Sequence, residues 1–306
     1  MTNPAADVSS EARALLAQMI EVGPVVPDIN DIPAYREAVR AGFEPAVQQA
    51  LRRFDGEIED IEIAGIGCKQ VTPRGWSGET GGCIQYAYGG GFVCGSPHED
   101  LVIAAPLAQA SGARIVIVDY RLSPEHPYPL PQQDMQAVYP ALVDSYGAAR
   151  LAVAGESAGG NQALGLLHHL RNQDMPLPAC AALLSPWCDL ANRGDSHGFN
   201  DNRDPSLSQP WVDIAATLHA NDHPLDDPAI SPLLGDMRGL PPTMITSGSC
   251  DLLLSQALRL AQRLRSADVY CDLRVWEGMW HVFEFYPIPE AETSIGEIAG
   301  FIRGYL

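Results

Sequence analysis

Apolar positions within residues 7–52 recur at helical spacing, with Ala12, Leu15, Leu16 and Met19 on one stripe. A second helical pattern begins after Asp31, an N-cap candidate with Pro33 in the first turn. From about residue 57 the period changes to two: the short runs at 61–63 and 83–88 predict strands and an antiparallel start to a sheet. Beyond residue 110 apolar runs at 115–118, 151–154, 181–184 and 244–245 alternate with helical patterns near 132–146, 158–172, 254–267 and 290–303. That alternation predicts an α/β fold in which crossover helices cover both faces of a mostly parallel sheet. No internal repeat or low-complexity tract interrupts it. One segment does break the rhythm: residues 190–230 are rich in Asn, Asp and Pro around a short apolar run at 211–218. An insertion of that length at one point of an α/β sheet predicts a lid or wall for a site, or else an ordinary surface excursion.

Composition narrows the classes of function. Nineteen Lys and Arg against 38 Asp and Glu give a formal charge of −19 over 306 residues, a surface that repels phosphate backbones and anionic lipid. Nucleic acid and membrane are therefore not expected partners. No apolar run is long enough for a transmembrane helix, and the basic start of a secretory signal is missing, since Asp7 and Glu11 precede Arg13. The seven cysteines are scattered and never form a C-x-x-C pair, which fits reduced thiols and a cytoplasmic location.

The sharpest chemical signal is Gly155-Glu156-Ser157-Ala158-Gly159-Gly160, directly after the strand at 151–154 and directly before a helical run. In that context G-x-S-x-G reads as a nucleophile elbow: small residues let strand and helix approach, and Ser157 is exposed at the tight turn between them. A serine hydroxyl needs a histidine base and a carboxylate to orient it. In elbow enzymes the acid follows a late strand and the base follows the last one, which selects Asp251, after 244–248, and His281, after the strand at 269–276. The remaining histidines read as structural: His168 and His169 are adjacent on the elbow helix and point about 100° apart, His126 lies in a Pro-rich turn, and His98, His197, His219 and His223 fall in loop or lid sequence. Tyr88-Gly89-Gly90-Gly91-Phe92 follows a strand, and its glycines allow the close backbone approach an oxyanion hole requires. Gly90 and Gly91, with Ala158 after the nucleophile, are the candidate donors. No phosphate-loop lysine follows them, so a nucleotide role is not supported. Glu156, beside the nucleophile, reads as a solvated or structurally hydrogen-bonded carboxylate.

Together these motifs resemble the hormone-sensitive-lipase-like family of α/β-hydrolases, bacterial carboxylesterases marked by an H-G-G-G motif. The likeness runs from about residue 80 to the end and includes Asp119-Tyr120-Arg121-Leu122-Ser123-Pro124-Glu125-His126-Pro127, Leu184-Ser185-Pro186-Trp187-Cys188-Asp189-Leu190, Ser231-Pro232-Leu233 and Gly239-Leu240-Pro241-Pro242. The resemblance implies a helical cap, here residues 1–50 and 190–230, over a catalytic α/β-hydrolase domain at 51–189 and 231–306. It also implies a small-molecule ester substrate, no metal or other cofactor, and an option of homodimers. Three positions depart from the pattern. Tyr88 replaces the motif histidine, Leu252-Leu253 follow the acid where Pro-Leu is usual, and Val282 replaces the glycine after the base. Tyr88, Phe92, Trp187, Trp211 and Trp280 are candidate substrate-binding residues, each also readable as ordinary core. The expected activity is hydrolysis of small or medium-chain carboxylic esters through an acyl-enzyme. The same triad would serve a lactone or amide, and the same fold can serve as a non-catalytic receptor.

Overall fold

A computed structural model describes residues 8–24 and 26–306. Eight strands, β1 (Gly56–Ile63), β2 (Ile66–Pro73), β3 (Cys83–Ala87), β4 (Arg114–Val118), β5 (Leu151–Glu156), β6 (Cys180–Leu184), β7 (Thr243–Gly248) and β8 (Cys271–Trp276), form one sheet. Their spatial order is β1-β2-β4-β3-β5-β6-β7-β8. The β1–β2 and β2–β4 pairs are antiparallel and the rest parallel. β3, β5, β6 and β7 are buried at every residue, so their apolar stretches, such as all of β6, have no polar face, whereas β1 at the edge has no fully buried position.

The helices are α1 (Ser10–Val22), α2 (Ile32–Arg53), α3 (Leu101–Ser111), α4 (Leu130–Tyr146), α5 (Ala158–Asn172), the single turn α6 (Ser196–Phe199), α7 (Gln209–Ala220), α8 (Leu254–Ser266) and α9 (Pro289–Arg303). From β3 the chain passes through α3 to β4 on one side, then returns through α4 to β5 on the other side of β3. Right-handed crossovers in opposite directions place α3 and α4 on opposite faces of the sheet. The reversal also creates a switch point between β3 and β5, where open α/β sheets form sites outside the carboxyl ends of their strands. The pairing Ala87↔Gly155 brings those two strand ends side by side.

Two elements lack a counterpart in the sequence pattern. α3 is buried at seven of its eleven positions and carries Pro106 inside it, so its apolar residues surround the axis and leave no amphipathic stripe to recognise. β2 mixes buried and half-buried positions without clean alternation. Asp31 caps α2 as expected, its side chain accepting from the Ala34 amide. α2 ends at Arg53, one residue past the helical pattern read to residue 52, and Val47 and Leu51 from its later turns, with Phe54 just beyond it, pack in or against the main core.

Three apolar clusters fill the interior. The largest lies between sheet and helices. A second gathers Ile32, Phe92, Trp187, Trp211, Val212 and Leu252 over the strand ends. The third packs Val8 and Ala12 against Met279, Trp280, Phe283 and Ile288. All seven cysteines are buried and unpaired, and among the described residues no helix is long and apolar enough to cross a membrane.

Candidate active site

Ser157 sits between β5 and α5 with φ 52° and ψ −119°, outside the regions L-residues favour. Holding a side chain there costs of order 1–3 kcal/mol, so surrounding bonds must impose it. Its amide donates to the Leu184 carbonyl at 2.9 Å, and its own carbonyl accepts from Trp187 at 2.9 Å. Glycine is required around it for space: a Cβ on Gly155 would lie 2.4 Å from the Gly159 carbonyl oxygen, and one on Gly159 would lie 2.0 Å from that of Ala87.

The turns after β7 and β8 bring two distant side chains to the serine. The His281 Nε2 atom lies 2.9 Å from the Ser157 hydroxyl, and His281 Nδ1 lies 3.1 Å from Asp251 Oδ1. Asp251 Oδ1 also accepts from the Leu253 amide at 2.8 Å, and its Oδ2 accepts from the Ser247 hydroxyl at 3.0 Å. The two turns are joined where the Cys250 amide donates to the Met279 carbonyl at 2.8 Å. Val282, next to His281, adopts a left-handed φ of 45°, a conformation glycine takes freely and a β-branched residue does not. Its amide is fixed at 3.2 Å from the Ser185 hydroxyl.

Burial alone would pull the His281 imidazole down, but the Asp251 charge and hydrogen bond, with Asp204 and Glu284 behind them, outweigh it and hold the imidazole above its ordinary value. Burial likewise opposes the Asp251 charge, yet His281 and the converging donors keep that carboxyl below the usual range. This is the arrangement that stabilises an imidazolium once a proton arrives.

Asp204, from the 190–230 segment, was not singled out by sequence. Its carboxylate is 2% exposed and accepts from the amides of Leu252 at 2.8 Å, Ser206 at 2.9 Å and Leu207 at 3.2 Å. Burial first, and then the neighbouring Asp251 charge, push it up to about 7. The polar atoms of Asp204, Asp251 and His281 lie within 4.8 Å of one another, a spacing that could suit a metal ion. Their hydrogen bonds account for the cluster instead: Asp251 and His281 engage each other, and Asp204 engages three amides. The only sequence signal for Asp204 is its place in a turn-rich insertion, which does not distinguish it from Asp201 or Asp222.

On the opposite side of the serine, Gly90 and Gly91 have φ of 90° and 63° and line the pocket with Ser157. A Cβ on Gly90 would lie 2.2 Å from the Cys94 carbonyl oxygen. Ala158 begins α5, so its amide and the helix's positive end lie beside the serine. Glu156 is buried and holds the Gly89 amide, the hydrogen-bonded alternative of the two readings. Burial, followed by the nearby Asp100 charge, raises its carboxyl well above the usual range.

The pocket over Ser157, about 170 Å³, takes in Trp187 and Trp211 from the candidate aromatics. The other three lie elsewhere. Tyr88 is a fully buried strut behind the glycine loop: its ring stacks on Tyr120 at 4.2 Å, its hydroxyl donates to the Tyr120 carbonyl at 2.9 Å, and the Tyr120 hydroxyl returns a 2.6 Å bond to the Tyr88 carbonyl. Phe92 points into the second cluster, stacked on His219 at 3.7 Å. Trp280, although adjacent to His281, turns away into the third cluster beneath α1. Apolar side chains beside a site are drawn to whichever core is nearest, and sequence adjacency does not reveal which.

Residues 84–285 match the model of a family described as alpha/beta hydrolase fold. The chain is similar to an esterase of Acinetobacter venetianus, 31% identical with 85% of this chain and 87% of the relative covered. It is also similar to an acetyl-hydrolase of Streptomyces hygroscopicus, 33% identical with 76% and 78% covered. Among solved structures, a hormone-sensitive lipase from a metagenome library superposes with a TM-score of 0.88 at 30% identity over 98% of this chain and 99% of that one. An esterase from the bacterial hormone-sensitive lipase family gives 0.87 at 31% identity, over 97% and 98%.

Proposed function

The chain belongs to the α/β-hydrolase family, and on that premise we propose that it is a serine carboxylesterase that hydrolyses small or medium-chain esters through an acyl-enzyme. The observation that carries this reading is the relay Ser157–His281–Asp251, at 2.9 Å and 3.1 Å, seated at the switch point of the sheet. As Ser157 Oγ attacks the ester carbonyl, His281 Nε2 takes its proton, and the imidazolium is held through Nδ1 by Asp251. The oxyanion is received by the amides of Gly90, Gly91 and Ala158. Collapse of the tetrahedral intermediate expels the alcohol, which takes the proton back from Nε2. Water then attacks the acyl carbon by the same route and frees Ser157.

In this reading residues 190–230 and the N-terminal helices form a cap. Support comes from the second cluster, where Ile32 of α2 and Trp211 of α7 meet over the strand ends, with Tyr35 edge-on to Trp211 at 5.5 Å. A cytoplasmic setting belongs to the same proposal and is supported by the seven unpaired, buried thiols. A purely ligand-binding role is not favoured, since nucleophile, base and acid are all in hydrogen-bonding position.

The test is hydrolysis of p-nitrophenyl butyrate by the wild-type chain and by Ser157→Ala. The variant is expected to fold normally and to lose several decades of kcat. Hydrolysis that survives the substitution contradicts the assignment.

A further inference from the structure

A second and larger cavity, about 470 Å³ against about 170 Å³, lies beside the catalytic pocket, and Phe285 and Tyr286 line both. Ala50 of α2, Val102 and Pro106 of α3, and Ile295 of α9 give it an apolar body. Its polar groups lie at two levels. Arg53 and Glu292 approach to 3.4 Å with both side chains largely in water, so they mark the mouth. Gln49 is one turn before Arg53 on α2, and the exposed Gln109 already accepts through Oε1 from the Asp55 amide at 3.1 Å.

The inner level is the carboxyl of Glu284, which is only 2% exposed. Its Oε1 accepts from the hydroxyls of Thr246 at 3.0 Å and Ser294 at 2.8 Å, both buried residues outside the cavity wall. Its Oε2 has no hydrogen-bond partner. A buried carboxyl oxygen left in that state carries a desolvation cost that a donor relieves.

Charge decides what kind of donor fits. Burial raises the Glu284 carboxyl above its usual range and the Asp251 charge adds to the effect, while Glu284 in turn raises Glu156. The surroundings of Oε2 are therefore rich in negative groups, in a chain whose formal charge is −19. An ammonium N–H offers both a hydrogen bond and a counter-charge, and charge-assisted bonds are the stronger kind. Between the carboxyl and the mouth the apolar walls suit methylenes, and the volume lies within the ~300–1,000 Å³ typical of ligand sites. We infer that this cavity is a binding site for linear primary alkylammonium compounds, with the ammonium on Glu284 Oε2 and the chain lying along α2, α3 and α9 toward the mouth. The site is separate from the acyl-enzyme chemistry and does not depend on the esterase reading.

Hexylammonium chloride, titrated calorimetrically into the full chain at neutral pH, is the probe. Two matched compounds divide its parts: hexyltrimethylammonium keeps the charge without an N–H, and 1-hexanol keeps a donor without the charge. Hexylammonium should bind about tenfold or more tighter than either. From butyl- to octylammonium the affinity should rise by up to roughly fourfold per methylene that leaves water. Gly296 lines this cavity and not the catalytic pocket, and a Cβ built there meets nothing within 4 Å, so Gly296→Leu fills space without a clash and should abolish binding. Glu284→Gln keeps an oxygen for Thr246 and Ser294 but removes the charge, and should weaken hexylammonium about tenfold or more. Thermal melts check that each variant folds. Should Gly296→Leu fail to fold, Ala110→Leu fills the cavity from α3; should Glu284→Gln fail, the hexyltrimethylammonium comparison tests the same bond. The inference is overturned by hexylammonium binding that is undetectable at millimolar concentration, no tighter than that of the two matched compounds, or no weaker in Glu284→Gln. Binding that survives the filled variants overturns it too, by placing the amine elsewhere, as in the catalytic pocket.

Discussion

Around Ser157 the chain is held by main-chain hydrogen bonds and by glycines with no room for a side chain, all within the reach of two adjacent strands. Around His281 and Asp251 it is held by buried side-chain charge drawn from three separate stretches of sequence: the turn after β7, the turn after β8, and the insertion that carries Asp204. The first region is geometric and tolerates no added atom. The second is electrostatic, and its behaviour depends on how protons and charges are distributed among His281, Asp251, Asp204 and Glu284. Substitutions on the two sides should therefore fail in different ways.

The largest effect on the electrostatic side is expected from Asp251→Asn. It preserves shape but removes the charge that holds the imidazolium, and kcat should fall by about four decades, as such changes do in serine triads. A fall of less than tenfold, measured with p-nitrophenyl butyrate, would show that another carboxylate orients His281. On the geometric side Gly159→Ala introduces a methyl 2.0 Å from the Ala87 carbonyl oxygen. Overpacking against main chain should cost about 1–3 kcal/mol, seen as a Tm lower by roughly 2–4 °C per kcal/mol. An unchanged Tm would mean that strand and helix can separate after all.

A subtler separation comes from Asp204→Asn. Asp204 is among the charges that raise His281, together with Asp251 and Glu284, so removing its charge lowers the imidazole. The base must be unprotonated to act. The acid limb of kcat/KM should accordingly move to lower pH, an effect that a purely structural role would not produce. An unmoved limb with reduced rate would assign Asp204 to holding the Leu252 turn alone. The smallest effect is expected from Val282→Gly. Relief of a left-handed β-branched residue, about 1–2 kcal/mol, is partly offset by the greater freedom of unfolded glycine, about 0.5–1 kcal/mol. Net stabilisation below about 1 kcal/mol by denaturant titration, with little change in kcat, is the anticipated result; destabilisation would show that Val282 packing outweighs its strain.

The same division explains what could be read before any coordinates. The elbow, the glycine loop and the buried parallel strands are marked by contiguous residue patterns, so Gly155, Ser157 and Gly159 could be found together even though Ala87 and Leu184, which hem in Gly159 and hold the Ser157 amide, lie far along the chain. Asp251 and His281, the proposed acid and base, were legible through topology, as residues that follow the last two strands. Asp204 was not, because its neighbours Asp251 and Leu252 are 47 and 48 residues away and its own surroundings are ordinary turn sequence. Tyr88 and Trp280, readable in sequence as either pocket or core, could not be placed for a related reason. Their neighbours in sequence lie in the pocket, but their rings have a better-packed alternative in Tyr120 and in the cluster under α1. α3 remained hidden because a helix buried on all sides has no polar face to mark its period.

The central claim, that Ser157 is a nucleophile activated by His281, is tested most directly by labelling with a p-nitrophenyl alkylphosphonate, whose serine adduct does not turn over. Intact-mass and peptide mass spectrometry should find one adduct on Ser157, formed in step with complete loss of esterase activity and absent from Ser157→Ala. An enzyme that hydrolyses esters while unlabelled, or that is inactivated by an adduct on another residue, would contradict it.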